Sequence, residues 1–79
     1  MKIKVQILTP EWNREVEADA VFLPGAFAPF EVLPGHAPMI STLEAGDIIL
    51  RVDGKEEKVA VKRGVVRVGR SEMQICAEV

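Results

Sequence analysis

Residues 46–61 read "GDIILRVDGKEEKVAV", two apolar-rich runs on either side of Asp53-Gly54. Asp-Gly is favoured in tight hairpins because both residues tolerate the positive φ such turns require. Two registers are open. A two-residue loop sets Leu50 opposite Glu57, whereas a four-residue loop over "DGKE" pairs Leu50 with Val59 and Ile48 with Val61. The longer loop is the expected one, because it gathers the apolar residues on one face.

Working outward, the same two-residue period recurs. Upstream, "KIKVQIL" places Ile3, Val5 and Ile7 on one side and Lys2, Lys4 and Gln6 on the other, the pattern of a half-buried strand. "TPEW" supplies a turn, and Val16 to Leu23 reads as one or two strands ended by Pro24-Gly25. The short strand "FEVL" lies between that turn and a second one at Leu33-Pro34-Gly35. Pro followed by Gly suits a type II turn, since Gly accepts the positive φ at its third position. Downstream, "GVVRVG" and "EMQICAEV" finish the chain, with Met73, Ile75, Ala77 and Val79 on one face and Gln74, Cys76 and Glu78 on the other. Apolar residues nowhere recur at helical spacing. About eight to ten short strands with regular turns predict an all-β fold, an antiparallel sandwich or flattened barrel.

A chain of 79 residues, 48% hydrophobic and 28% charged, supports one small folded domain with one core. A net charge of −2, with both signs dispersed, gives no electrostatic reason to approach nucleic acid. The lone Cys76 cannot form an internal disulfide, and the opening residues do not resemble a secretory signal, so a reducing compartment is expected. No apolar run approaches the roughly 20 residues that cross a bilayer as a helix.

Catalytic chemistry has no visible seat. A metal site needs three or four convergent ligands, and the chain offers one histidine, one cysteine and scattered carboxylates. His36 has Ser41 and Asp47 near it in sequence, but no nucleophile-elbow pattern surrounds them. It reads more simply as a loop histidine bonded to a backbone carbonyl. The six glycines form neither a dinucleotide fingerprint nor a phosphate loop. Cys76 reads as a small packing residue, and Trp12, Phe22, Phe27 and Phe30 as core or interface aromatics. The carboxylates Glu11, Glu15, Glu17 and Asp19 read as a solvated strand face. What remains is a β domain whose stiff Pro-Gly turns present a loop, an interaction module.

"LPG" at residues 23–25, followed by "VLPGHAPMISTLEAGDI" from residue 32, resembles the N-terminal domain of the epsilon subunit of F-type ATP synthases, called delta in mitochondria. The strand ending in "TP", the Leu-x-x-Gly before the hairpin and the closing "ICAEV" fall in the family's order along essentially the whole chain. The resemblance implies a ten-stranded antiparallel β-sandwich spanning residues 1–79, without the helical hairpin many relatives carry. It implies a non-catalytic rotor subunit of a proton-translocating synthase, needing no cofactor or metal. Its partners would be the gamma subunit and the c-ring, with the membrane reached only through the complex. The location would be peripheral, on the cytoplasmic side of the bacterial inner membrane, and the isolated chain would be a monomer. Candidate partner contacts are Phe27, Glu31, Pro34, Gly35, His36, Ala37, Pro38 and Ser41. One departure concerns "FAPFE" at residues 27–31, where relatives commonly carry a Gly- and Glu-rich run. The rivals are a lipoyl- or biotinyl-type carrier domain, with Lys55 as the modified residue, and a small hydrolase using His36.

Overall fold

The computed structural model describes residues 1–79. Nine strands follow one another: β1 (Ile3–Leu8), β2 (Asn13–Ala18), β3 (Ala20–Leu23), β4 (Phe30–Val32), β5 (Met39–Leu43), β6 (Gly46–Val52), β7 (Lys55–Val61), β8 (Arg63–Val68) and β9 (Glu72–Glu78). They form a sandwich of a five-stranded sheet, β2-β1-β9-β8-β5, and a four-stranded sheet, β4-β3-β6-β7. The core between them takes Ile3, Val5 and Ile7 of β1 and Met73, Ile75 and Ala77 of β9 from the first sheet. Val21, Leu23, Val32, Ile48, Leu50 and Val61 close it from the second.

Three expectations about the architecture need correction. The sandwich has nine strands, not ten; between β3 and β4 the chain adds only a single bridge, Gly25 to Leu43. The five-stranded sheet is mixed, because β1 and β9 run parallel while every other pair in the molecule is antiparallel. Neighbouring hairpins must alternate in direction, but strands joined through the rest of the chain are under no such constraint. Nor is there a flattened barrel: each sheet keeps two free edges.

The hairpin register is the other correction. Val52 pairs with Lys55 and Leu50 with Glu57, around a two-residue loop. Asp53 has φ of 52° and Gly54 of 80°, the left-handed pair of a type I′ turn, whose twist matches that of the strands. Glu57 therefore lies on the core side of β7. It is satisfied by Arg14, which stands on the core side of β2 in the opposite sheet and donates to both carboxylate oxygens. The ion pair joins the two sheets across an open edge of the sandwich.

Between β2 and β3 the chain passes from one sheet to the other at Asp19, and this corner is pinned. Asp19 Oδ1 lies 2.9 Å from Lys2 Nζ, Oδ2 accepts the Asp53 N–H at 2.8 Å, and its own N–H donates to Arg51 O at 2.8 Å. Lys2 also meets Asp53 at 2.7 Å.

Arg14 and Glu57 carry a consequence for acid stability. The guanidinium's hydrogen bonds hold the Glu57 carboxyl below its ordinary range, and the bond from Lys2, then that from the Asp53 N–H, does the same for Asp19. A carboxylate depressed by folding contributes stability above its unfolded pKa and loses it as pH falls through the folded value. Urea midpoints are expected to fall below about pH 4. Glu57→Gln should flatten that fall by only about 0.5 kcal/mol, because the pair is partly solvated. A Glu57→Gln protein as acid-sensitive as the parent would count against the pair.

Candidate functional site

The two Pro-Gly turns, similar in sequence, are built differently. At Leu33-Pro34-Gly35-His36 the turn is type II: Gly35 has φ of 86°, and the His36 N–H donates to Leu33 O at 3.1 Å. Gly35 N–H reaches Arg70 O at 2.8 Å, tying the loop to the β8–β9 turn. At Pro24-Gly25 the type II expectation fails. Gly25 does not have positive φ; its N–H donates back to Leu23 O at 3.0 Å, a tighter turn around Pro24. Gly is needed there for space: a methyl group on it would lie 2.5 Å from Ala28 O and 2.8 Å from the Phe30 ring.

His36 Nδ1 sits 2.7 Å from Ala37 O. A carbonyl only accepts, so Nδ1 carries the proton and donates. The half-buried ring thus stiffens its own loop. Ser41 donates to Thr42 O at 3.1 Å rather than to the histidine. No three histidine, cysteine or carboxylate side chains converge on a common point.

The candidate contacts do not form one patch. Phe27 is fully exposed in loop 24–29, which joins the Leu23 and Phe30 ends of β3 and β4. Residues 33–38 follow the other end of β4, so three residues of strand, about 10 Å, separate the loops along the sandwich. Pro34 and His36 are half-buried, while Gly35, Ala37 and Pro38 are exposed. Glu31 stands between the loops on the outer side of β4, opposite Phe22, and Ser41 lies half-buried in β5. Phe30 turns inward against the core but is only half-covered.

The outer face of the five-stranded sheet carries residues that the loop-centred reading missed. Ile40, 71% exposed, stands beside Arg67, and Val65 stands beside Cys76. Cys76 is exposed, not packed. A shallow depression of about 870 Å³ crosses this face past Ile40, Arg67, Gln74 and Gln6, and another of about 610 Å³ lies past Val65, Cys76 and Leu8. The signal was in "VVRV", whose period buries Val66 and Val68 and leaves Val65 and Arg67 outside. Lys55 flanks the hairpin turn instead of occupying its centre, which removes the geometric ground for a carrier lysine. No helix is long and apolar enough to cross a membrane.

Residues 2–79 match the family model described as ATP synthase, Delta/Epsilon chain, beta-sandwich domain. The chain is 40% identical over 75 residues to the ATP synthase epsilon chain of Desulfitobacterium hafniense, covering 94% of this chain and 57% of that one. It is 37% identical over 78 residues to that of Myxococcus xanthus, covering 98% and 57%. It therefore spans a little over half the length of these relatives. Its fold is similar to a chain of the Tetrahymena thermophila mitochondrial ATP synthase central stalk and c-ring, with TM-score 0.81 and 16% identity over 100% of this chain and 65% of that one. A chain of the Euglena gracilis mitochondrial enzyme gives 0.89 at 16% identity, over 96% and 50%.

Proposed function

We propose, because the chain belongs to the delta/epsilon chain family of ATP synthases, that it is a non-catalytic rotor component linking the gamma subunit to the c-ring of a proton-translocating synthase. The observation that carries this reading is the family match over residues 2–79. The geometry is consistent with transmission instead of chemistry: two cross-linked sheets, stiff turns at both ends and no buried charged side chain. A rigid body passes torque between partners only if it is held at more than one place, and the two candidate contact loops, 24–29 and 33–38, lie at opposite ends of β4. Its place would be peripheral, on the cytoplasmic side of a bacterial inner membrane, reached through the complex.

Within this reading Phe27 is a docking residue. Its ring is fully exposed, so truncation removes no core contact. Phe27→Ser should shift the melting temperature by no more than a few degrees and lower recovery of the chain on immobilised gamma subunit with c-ring. His36→Ala should weaken recovery less, by under about 1 kcal/mol, and cost little stability because its bond is local to the loop. A Phe27→Ser chain that binds as well as the parent would remove Phe27 from the contact surface.

A further inference from the structure

The inner face of β2 is thinly committed to the core. Only Ala18, at one end, is fully buried; Val16 is half-buried, Asn13, Glu15 and Glu17 are exposed, and the remaining inward position is Arg14. β2 is also an edge strand with a single backbone partner, β1. Lys4 N–H runs to Ser71 O on the β9 side, so by the alternation of strand backbones Val5 and Ile7 turn their groups to β2, opposite Val16 and Arg14.

The two ends of β2 are fastened to the second sheet in different ways. Beyond Ala18 the chain itself crosses over, and Asp19 holds Lys2, the Asp53 N–H and Arg51 O. Four residues back, about 13 Å along the strand, only Arg14 reaches across, to Glu57 of β7. No backbone hydrogen bond joins β2 to β7, and this ion pair is the one polar side-chain link between them. Glu57 stands on the firmer of the two strands. β7 pairs with β6 along its seven residues, its turn is held at Asp53, and just past its end Lys62 N–H donates to Glu78 O at 2.7 Å. Next along the same inward faces lie Val16 and Val59, both half-buried against the core. With 38% and 48% of their side-chain surface exposed, Arg14 and Glu57 stay within reach of dissolved ions.

We propose that residues 13–16 of β2 form a strap, held shut over Val16 and Val59 by the Arg14–Glu57 pair and released from β1 by salt while the rest of the sandwich stays folded. Salt screens the two charges, the strap lifts about Asp19, where the chain remains fastened, and the open form bares Val16, Val59 and the outward backbone groups of Val5 and Ile7. The strap belongs to the fold and is independent of the rotor assignment.

The test is amide hydrogen exchange of the isotope-labelled chain, read by NMR at about 0.05 and about 0.5 M sodium chloride and in low urea, with rates taken relative to an unstructured chain at each salt concentration. The Arg14 and Val16 amides should exchange faster than that of Ile75 and with little urea dependence, the mark of a local opening. High salt should speed them about two- to threefold. Glu57→Gln should show the faster rate already at low salt and lose the salt response, and exchanging the charges, Arg14→Glu with Glu57→Arg, should restore both. The proposal is overturned if the Val16 amide shares the exchange rate and urea slope of Ile75, which would mean that β2 opens only with the whole domain. It is equally overturned if Val16 opens locally but responds to salt alike in the parent and in Glu57→Gln, since the pair would then not be the fastening.

Discussion

Ile75→Ala is expected to lower the melting temperature by about 12–24 °C, the largest loss from any single truncation considered. Ile75 is fully buried in β9, which has β1 on one side and β8 on the other, and it lies opposite Ile7 and Val66, both also fully buried. Removing its outer carbons loses their transfer free energy and leaves a cavity that neighbours on both sides are pinned from filling. The cost of such a truncation is about 3 kcal/mol. A domain this small has little stability to lose. Thermal denaturation of Ile75→Ala beside Val65→Ala, altered on the outer face of the same sheet, isolates the effect. Equal melting temperatures would mean that the core does not lie against the inner face of β1, β9 and β8 as described.

Gly64→Val is the second large effect. Gly64 pairs with Ala77, and a Cβ there would stand 2.5 Å from Cys76 O and 3.1 Å from Ala77 Cα. Both obstacles are backbone of a central strand, so relief requires β8 to move off β9. Overpacking of this kind costs about 3 kcal/mol, more than the few tenths gained by restricting the unfolded chain. Gly54→Ala provides the contrast. Its site has open space around it and a φ of 80°, and the loss expected from backbone strain alone is about 1 kcal/mol. Urea unfolding should rank Gly64→Val well below Gly54→Ala; the opposite order would contradict the close approach of β8 and β9.

What the sequence made legible is the part governed by local period. Ile3, Val5, Ile7, Met73, Ile75 and Ala77 are all inward, as the alternation of β1 and β9 requires. The parallel pairing of those strands was not legible, because β1 and β9 meet through the whole intervening fold. The hairpin register failed for a related reason: pattern within 46–61 disfavoured Glu57 facing inward, while the Arg14 that satisfies it belongs to the other sheet. The Pro24-Gly25 turn failed because Gly25 answers to crowding by Ala28 and Phe30, not to a φ requirement.

The family was legible from motif order, and the relatives and family model agree with it. In sequence Phe27 and Phe30 stand together as core or interface aromatics, and the fold separates them, with Phe27 exposed in its loop and Phe30 leaning inward. The distribution of the candidate contacts along the sandwich was not legible, since sequence proximity between Phe27 and His36 hides the strand between them. Ile40 was also passed over in a stretch read for its histidine, although its alternation with Leu43 and Met39 depends on a strand whose outer neighbours only the fold supplies.

The central claim is that this chain docks as a rotor component, and its most direct test is binding of the 79-residue chain to a purified gamma subunit–c-ring subcomplex, followed by sedimentation velocity. Saturable association of one chain per subcomplex, weakened by Phe27→Ser and unaffected by Val59→Thr on β7, is the predicted result. A correctly folded chain that sediments apart from the subcomplex at every concentration would contradict it.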